Sequence, residues 1–268
     1  MTKLKVAHSK GMGIAMKRVL VCWAATVLAI AGSAGQAGLL AATRTGTAAR
    51  AASFAGPVAP TLAKVKLAKG DSLVADAKGS EVPIFEAPDA PMAIKALKNP
   101  TFEGVPLVFG VKEQKGEWLH VMIPERPNGS TAWIRTSDVE LRAVPNRILV
   151  ELSKHRLSVW RGDQMLMEAP VGVGTPRTPT PLGSFYVDVS VPFQSSGGPY
   201  GAYMLSVAGF SNVHLTFAGG RGQIAIHGTN NLGSVGKDSS NGCLRLTNDV
   251  ILQVKDLAPT GTPVDIVA

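Results

Sequence analysis

Cysteine is nearly absent: two occur in 268 residues, Cys22 and Cys243, so the chain is no disulfide-stapled miniprotein. Charge is sparse as well, at 17% against 45% hydrophobic residues. That balance excludes wholesale disorder, which needs low hydrophobicity and high net charge. Acidic side chains are missing altogether from residues 1–50, which hold seven lysines and arginines. Subtracting those seven from the formal +8 leaves a body of 20 basic and 19 acidic groups. A body so close to neutral lacks the basic footprint that phosphate backbones require, and nucleic acid is excluded as a partner. Internal repeats and low-complexity tracts are absent from residues 67–268.

One long uncharged run is present. Val19–Ala42 spans 24 residues behind Lys17 and Arg18. As a helix it would extend about 36 Å, enough for a hydrocarbon core of about 30 Å. Residues 1–42 read as a secretory signal, with Gln36-Ala37 and Ala41-Ala42 as processing sites, or as an uncleaved transmembrane anchor. Either way the basic flank stays inside and the remainder crosses the membrane, which places the protein in an extracytoplasmic envelope. Cys22 lies in this run without the surroundings of a lipoprotein cysteine. Residues 43–66, rich in Ala, Thr, Gly and Pro, read as a linker.

Residues 67–143 hold short apolar runs between turn signals: 82–85, 105–111, 118–123 and 131–134. Alternation in 118–123 sets Trp118, His120 and Met122 against Leu119, Val121 and Ile123. Such short, close strands fit a small β-barrel, with Trp118 and Trp133 as core. The spacing of Gly116-Glu-Trp118, Val121 and Trp133-Ile134 resembles a bacterial SH3-type module.

From Asn146 onward a β-meander is expected at 147–152, 156–160 and 164–169, then strands at 184–191, 203–207, 213–217, 223–227 and 262–267. A single helix is expected over Asp249–Leu257, capped by Thr247 or Asn248 and stopped before Pro259.

The chemistry lies in His227 and, sixteen positions on, Cys243 within SSNGCLRL (Ser239–Leu246), joined by a glycine-rich polar loop. A thiol beside an imidazole is the smallest equipment for acyl transfer, since the imidazole takes the thiol proton. The bland reading of Cys243 is a buried small apolar side chain. His120 and His155 read as packing or solvent-facing, and His214 as alternating with apolar neighbours. Only His227 and Cys243 fall together, short of the four ligands of a structural zinc site, so neither a metal nor a cofactor is expected.

His227-Gly228, Ser240-Asn241-Gly242-Cys243-Leu244-Arg245 and the upstream Thr178-Pro-Thr-Pro-Leu-Gly183 together resemble the YkuD-type L,D-transpeptidase catalytic domain over residues 146–268. The resemblance implies a mixed β-sandwich with one short helix, making the whole chain mainly β, and a cysteine acyltransferase acting on peptidoglycan stem peptides. It implies Cys243 as nucleophile, His227 as base, the Gly228 carbonyl orienting the imidazole, and the Gly242 and Cys243 amides as oxyanion donors. Arg245 is matched to a stem carboxylate, Ser240 and Asn241 to substrate contacts, and Tyr200, Tyr203 and Gly197-Gly198 to a substrate lid. Asn241 departs from the histidine common in the family motif, which bears on rate and substrate preference. The same machinery with water as acceptor is an L,D-carboxypeptidase, and with a protein amine an anchoring enzyme. A catalytically silent wall-binding protein is the reading of another class. Carbapenem acylation of the thiol and a monomeric state complete the expectations.

Overall fold

The computed structural model describes residues 65–217 and 219–268. The expected signal or anchor and nearly all of the linker lie outside the described residues. Among the described residues no helix is long and apolar enough to cross a membrane.

The chain opens with β1 (Ser72–Ala77), β2 (Glu81–Ile84), β3 (Lys95–Lys98), β4 (Val108–Lys115), β5 (Trp118–Met122), β6 (Thr131–Arg135) and β7 (Val139–Val144). Five of these form an antiparallel sheet in the order β6-β5-β4-β1-β7, while β2 and β3 make a separate hairpin. The Phe85–Trp133 bridge ties that hairpin to β6. Alternation in β5 works as expected: Leu119 and Val121 are buried among Ile84, Phe109 and Ile134, while His120 and Met122 are half-exposed. Trp118 is buried edge-on against Phe85 under the Arg135 guanidinium. Trp133 is not core; its register opposite His120 puts both rings on the outer face, stacked 4.9 Å apart. β4 starts three residues later than its apolar run, at Val108, past Pro106, which has no N–H for a ladder.

The second part comprises β8 (Asn146–Glu151), β9 (Arg156–Arg161), β10 (Gln164–Pro170), β11 (Val173–Gly174), β12 (Gly183–Pro192), β13 (Tyr203–Phe210), β14 (Gln223–Gly228), β15 (Asp238–Ser240), β16 (Leu244–Leu246), α1 (Asn248–Leu257) and β17 (Pro263–Val267). Eight strands run in the order β10-β9-β8-β17-β12-β13-β14-β16. The ladder is mixed, since β8–β17 and β14–β16 are parallel. β12 serves both halves: Gly183–Tyr186 pair with β17 and Val187–Pro192 with β13. One core fills the space between the halves, with Ile148, Val150 and Val159 from the first and Leu205, Ile226 and Leu244 from the second. Ile251 and Val254 of α1 seal it, which is the helix's apolar stripe at its i, i+3 spacing.

The expected strand 213–217 is not one. The Ser211 hydroxyl accepts the amides of Val213 and His214, turning the chain into a loop that leaves Val213, Leu215 and Phe217 exposed. Local side-chain capture of amides competes with a ladder and here prevails over apolar alternation.

Candidate active site

β14 and β16 run side by side in parallel, pairing His227 with Arg245. This places Cys243, one residue before β16, at the same sheet edge as the imidazole. Both line one cavity of about 180 Å³, whose wall also holds Tyr200, His214, Asn241 and Arg245.

His227 is 3% exposed, and its Nδ1–H donates to the Gly228 carbonyl at 2.6 Å. That bond leaves the lone pair on Nε2 as proton acceptor. Burial pushes the imidazole down to about 4, with the Arg245 charge adding to it and the Gly228 bond opposing. Burial likewise pushes the Cys243 thiol up, partly countered by the Ala225 backbone and the Arg245 charge. Near pH 7 the resting pair is therefore neutral thiol and neutral imidazole. The proton must move as the sulfur attacks, which is general-base chemistry.

The nucleophile's loop is tied by its own serine. Ser240 is buried; its Oγ accepts the Gly242 amide at 3.0 Å and donates to the Cys243 carbonyl at 2.6 Å. Ser240 thus shapes the loop and has no hydroxyl proton left for substrate. Gly242 departs from its expected oxyanion role for the same reason, because its N–H is already spent; the Cys243 amide is the remaining candidate of the two. Gly242 sits at φ +115°, a conformation L side chains rarely adopt, so glycine is required there for backbone shape.

The threonine-proline loop before β12 grips this turn from across the sequence. Thr178 Oγ1 donates to the Ser240 carbonyl at 3.0 Å, and Thr180 Oγ1 to the Gly242 carbonyl at 2.9 Å while accepting the Gly174 amide at 2.9 Å. Thr180→Val keeps the shape and leaves a buried N–H and C=O unpaired. It is expected to destabilise the protein by about 2 kcal/mol in denaturant titrations, and to slow alkylation of Cys243 by iodoacetamide several-fold. Unchanged alkylation would show that the grip does not set the thiol.

Asn241 is exposed on the cavity wall, and Arg245 is half-buried there with Nη1 donating to the Ser239 carbonyl at 3.2 Å. Tyr200 meets His227 edge-on at 5.0 Å and stacks on Phe193. Tyr203 is not on this cavity; its hydroxyl pairs with Ser190 at 3.0 Å and Lys255 lies over its ring. Asn248 and Asn230 fasten the Gly197-Gly198 loop through the carbonyls of Ser196 and Gly197. His155 pairs with Asp238 at 2.7 Å, and no metal-holding cluster occurs among the described residues. The site residue missed by strand reasoning is His214. The run Gly219-Gly220-Arg221-Gly222 just beyond it signals a turn, not a continuing strand.

Residues 145–266 match the family model described as the L,D-transpeptidase catalytic domain, YkuD. The YkuD protein of Bacillus licheniformis, named for an L,D-transpeptidase, is 37% identical over 123 residues, which are 46% of this chain and 66% of that protein. Its Bacillus subtilis counterpart is 34% identical over the same shares. L,D-transpeptidase 1 of Mycobacterium tuberculosis is 28% identical over 131 residues, 44% of this chain and 49% of that protein. The chain thus spans between about half and just under two thirds of the length of these relatives. Through residues 145–266 the chain carries a catalytic domain of the YkuD L,D-transpeptidase family.

Proposed function

We propose that this protein is a peptidoglycan L,D-transpeptidase working through a Cys243 thioester. The observation that carries the reading is that the Cys243 thiol and the His227 imidazole, its Nδ1 fixed on the Gly228 carbonyl, line one cavity with Arg245. Cys243 Sγ attacks the carbonyl after the third residue of a tetrapeptide stem while His227 Nε2 takes the thiol proton. The tetrahedral oxyanion is held by the Cys243 amide. As it collapses, the C–N bond to terminal D-alanine breaks and His227 returns the proton to the leaving amine. A side-chain amine on a second stem then attacks the thioester, giving its proton to His227 on the way to the restored thiol. The new amide joins third residue to third residue.

A β-lactam carbonyl of a carbapenem meets the same nucleophile and acylates it. Stem peptides lie outside the cytoplasmic membrane, so the reading places the enzyme there, exported or anchored by residues 1–42. The five-stranded sheet with its outer hairpin supports an SH3-like assignment for residues 67–143.

The test incubates the full-length protein and its Cys243→Ala variant with purified disaccharide-tetrapeptide and follows products and intact protein by mass spectrometry. A cross-linked dimer lacking one D-alanine, formed by the parent alone, is expected. Release of D-alanine without dimer makes water the acceptor. No product and no adduct sinks the enzymatic reading.

A further inference from the structure

The loop between β13 and β14 is held from outside the catalytic domain. The turn after β5 supplies Arg126, whose guanidinium donates to the carbonyls of Ser211 (2.8 Å), His214 (3.2 Å) and Arg221 (3.1 Å). The same turn supplies Asn128, which exchanges two 2.8 Å bonds with the backbone of Phe210. The loop's own side contributes Ser211 Oγ, on the His214 amide at 3.0 Å. Gly222 completes the hold, since a Cβ there would lie 1.9 Å from the His214 carbonyl oxygen. Amide and carbonyl of His214 are thus both fixed, although the residue lies in no strand.

What is fixed is a wall of the reaction cavity. His214 Nε2 is shielded from solvent and has no hydrogen-bond partner among the described residues. Arg245 Nε, on the same cavity, is in the same condition. Buried polar nitrogens are rarely left unpaired, because each forfeits its hydration without compensation. Both residues line the cavity that holds Cys243, and an oxygen anion entering it can accept from Arg245 Nε and from His214 in the tautomer that carries its proton on Nε2. A carboxylate does so, and charge-assisted bonds of this kind are the strong ones.

We propose that His214 is a specificity-determining residue that seats the free C-terminal carboxylate of the donor stem together with Arg245, and that Arg126 and Asn128 of the first β module are its positioning residues. The proposal rests on the transpeptidase reading for the identity of the substrate. It gives the first module a part in substrate choice. His214, carried by the loop between β13 and β14, supplies an imidazole to a cavity whose SNGC motif has asparagine in the position where the family commonly has histidine.

Binding to the Cys243→Ala protein, which cannot turn over, separates this proposal from the activity. Calorimetry would compare disaccharide-tetrapeptide with the same molecule ending in a carboxamide. The acid is expected to bind about tenfold more tightly than the amide. His214→Ala in that background should erase the preference by weakening the acid alone. Arg126→Ala should reduce the preference, and Arg126→Lys should restore part of it. Equal binding of acid and amide, no binding of either, or a preference unchanged by His214→Ala overturns the proposal. A preserved acid preference in a protein whose parent shows no turnover would sink the transpeptidase reading and leave the carboxylate seat standing.

Discussion

His227→Gln is expected to slow acylation of Cys243 by a carbapenem by roughly 10² to 10⁴-fold, the usual range for loss of a positioned base. Glutamine approximates the imidazole's volume and still donates to the Gly228 carbonyl, so the fold survives while the proton acceptor is lost. The pH profile supplies the sharper signature. Burial holds His227 down at about 4, so the wild-type base is neutral at every pH above that and loses activity only as the pH drops through about 4. In the variant the reaction must wait for spontaneous thiolate. Its rate should therefore climb tenfold per pH unit through neutrality, toward the raised value that burial imposes on Cys243. Stopped-flow acylation between pH 4 and 9 reads both limbs. A variant within threefold of the parent, or one with a flat profile, removes His227 from the proton path.

The second large effect concerns stability. Asp188 on β12 is 8% exposed; Oδ2 accepts from Gln223 at 2.5 Å and Oδ1 has no partner among the described residues. Burial pushes its carboxyl up to about 6, with the Gln223 bond opposing. A carboxyl raised in the folded state favours folding below its unfolded value near 3.9 and loses that contribution as the pH rises through about 6. Two pKa units correspond to about 3 kcal/mol. Asp188→Asn keeps an acceptor for Gln223 and cannot ionise. It should stabilise the protein at pH 7.5 by about 2–3 kcal/mol, visible as a Tm roughly 5–10 °C higher, and should match the parent near pH 4. His227 has the opposite sign: lowered from 6.5 to about 4, it supports folding above 6.5 and loses that support as the pH falls through its window. The two slopes oppose each other between about 4 and 6, so the parent's profile is flat there and the variant's falls toward acid. Equal stability of parent and variant at pH 7.5 would refute the assignment.

The catalytic fold is legible wherever its strands are long and one-sided. The meander from 147 to 169, the strand ending at His227 and the helix 248–257 follow directly from periods of two and 3.6. β1 and β7 were less visible. They are half-polar runs whose burial depends on pairing with each other and, for β1, with β4, which no local window contains. Alternation failed at 213–217 because hydrogen bonds from Ser211 and the distant Arg126 outweigh the apolar pattern. In the site, Cys243 and His227 could be read from residue type and spacing. The allocation of hydrogen bonds could not. That Ser240 consumes the Gly242 amide, or that Tyr200 and not Tyr203 reaches the imidazole, depends on which way a turn closes and which face of a strand is inward.

The bonds from Thr178 and Thr180 to the nucleophile's turn close loops of 62 residues. Neither end can shape the other until the intervening strands β12 to β15 have been made. Until those strands pair, Cys243 has neither its shaped turn nor the His227 base beside it, so base-assisted reactivity of the thiol is a property of the assembled sheet alone.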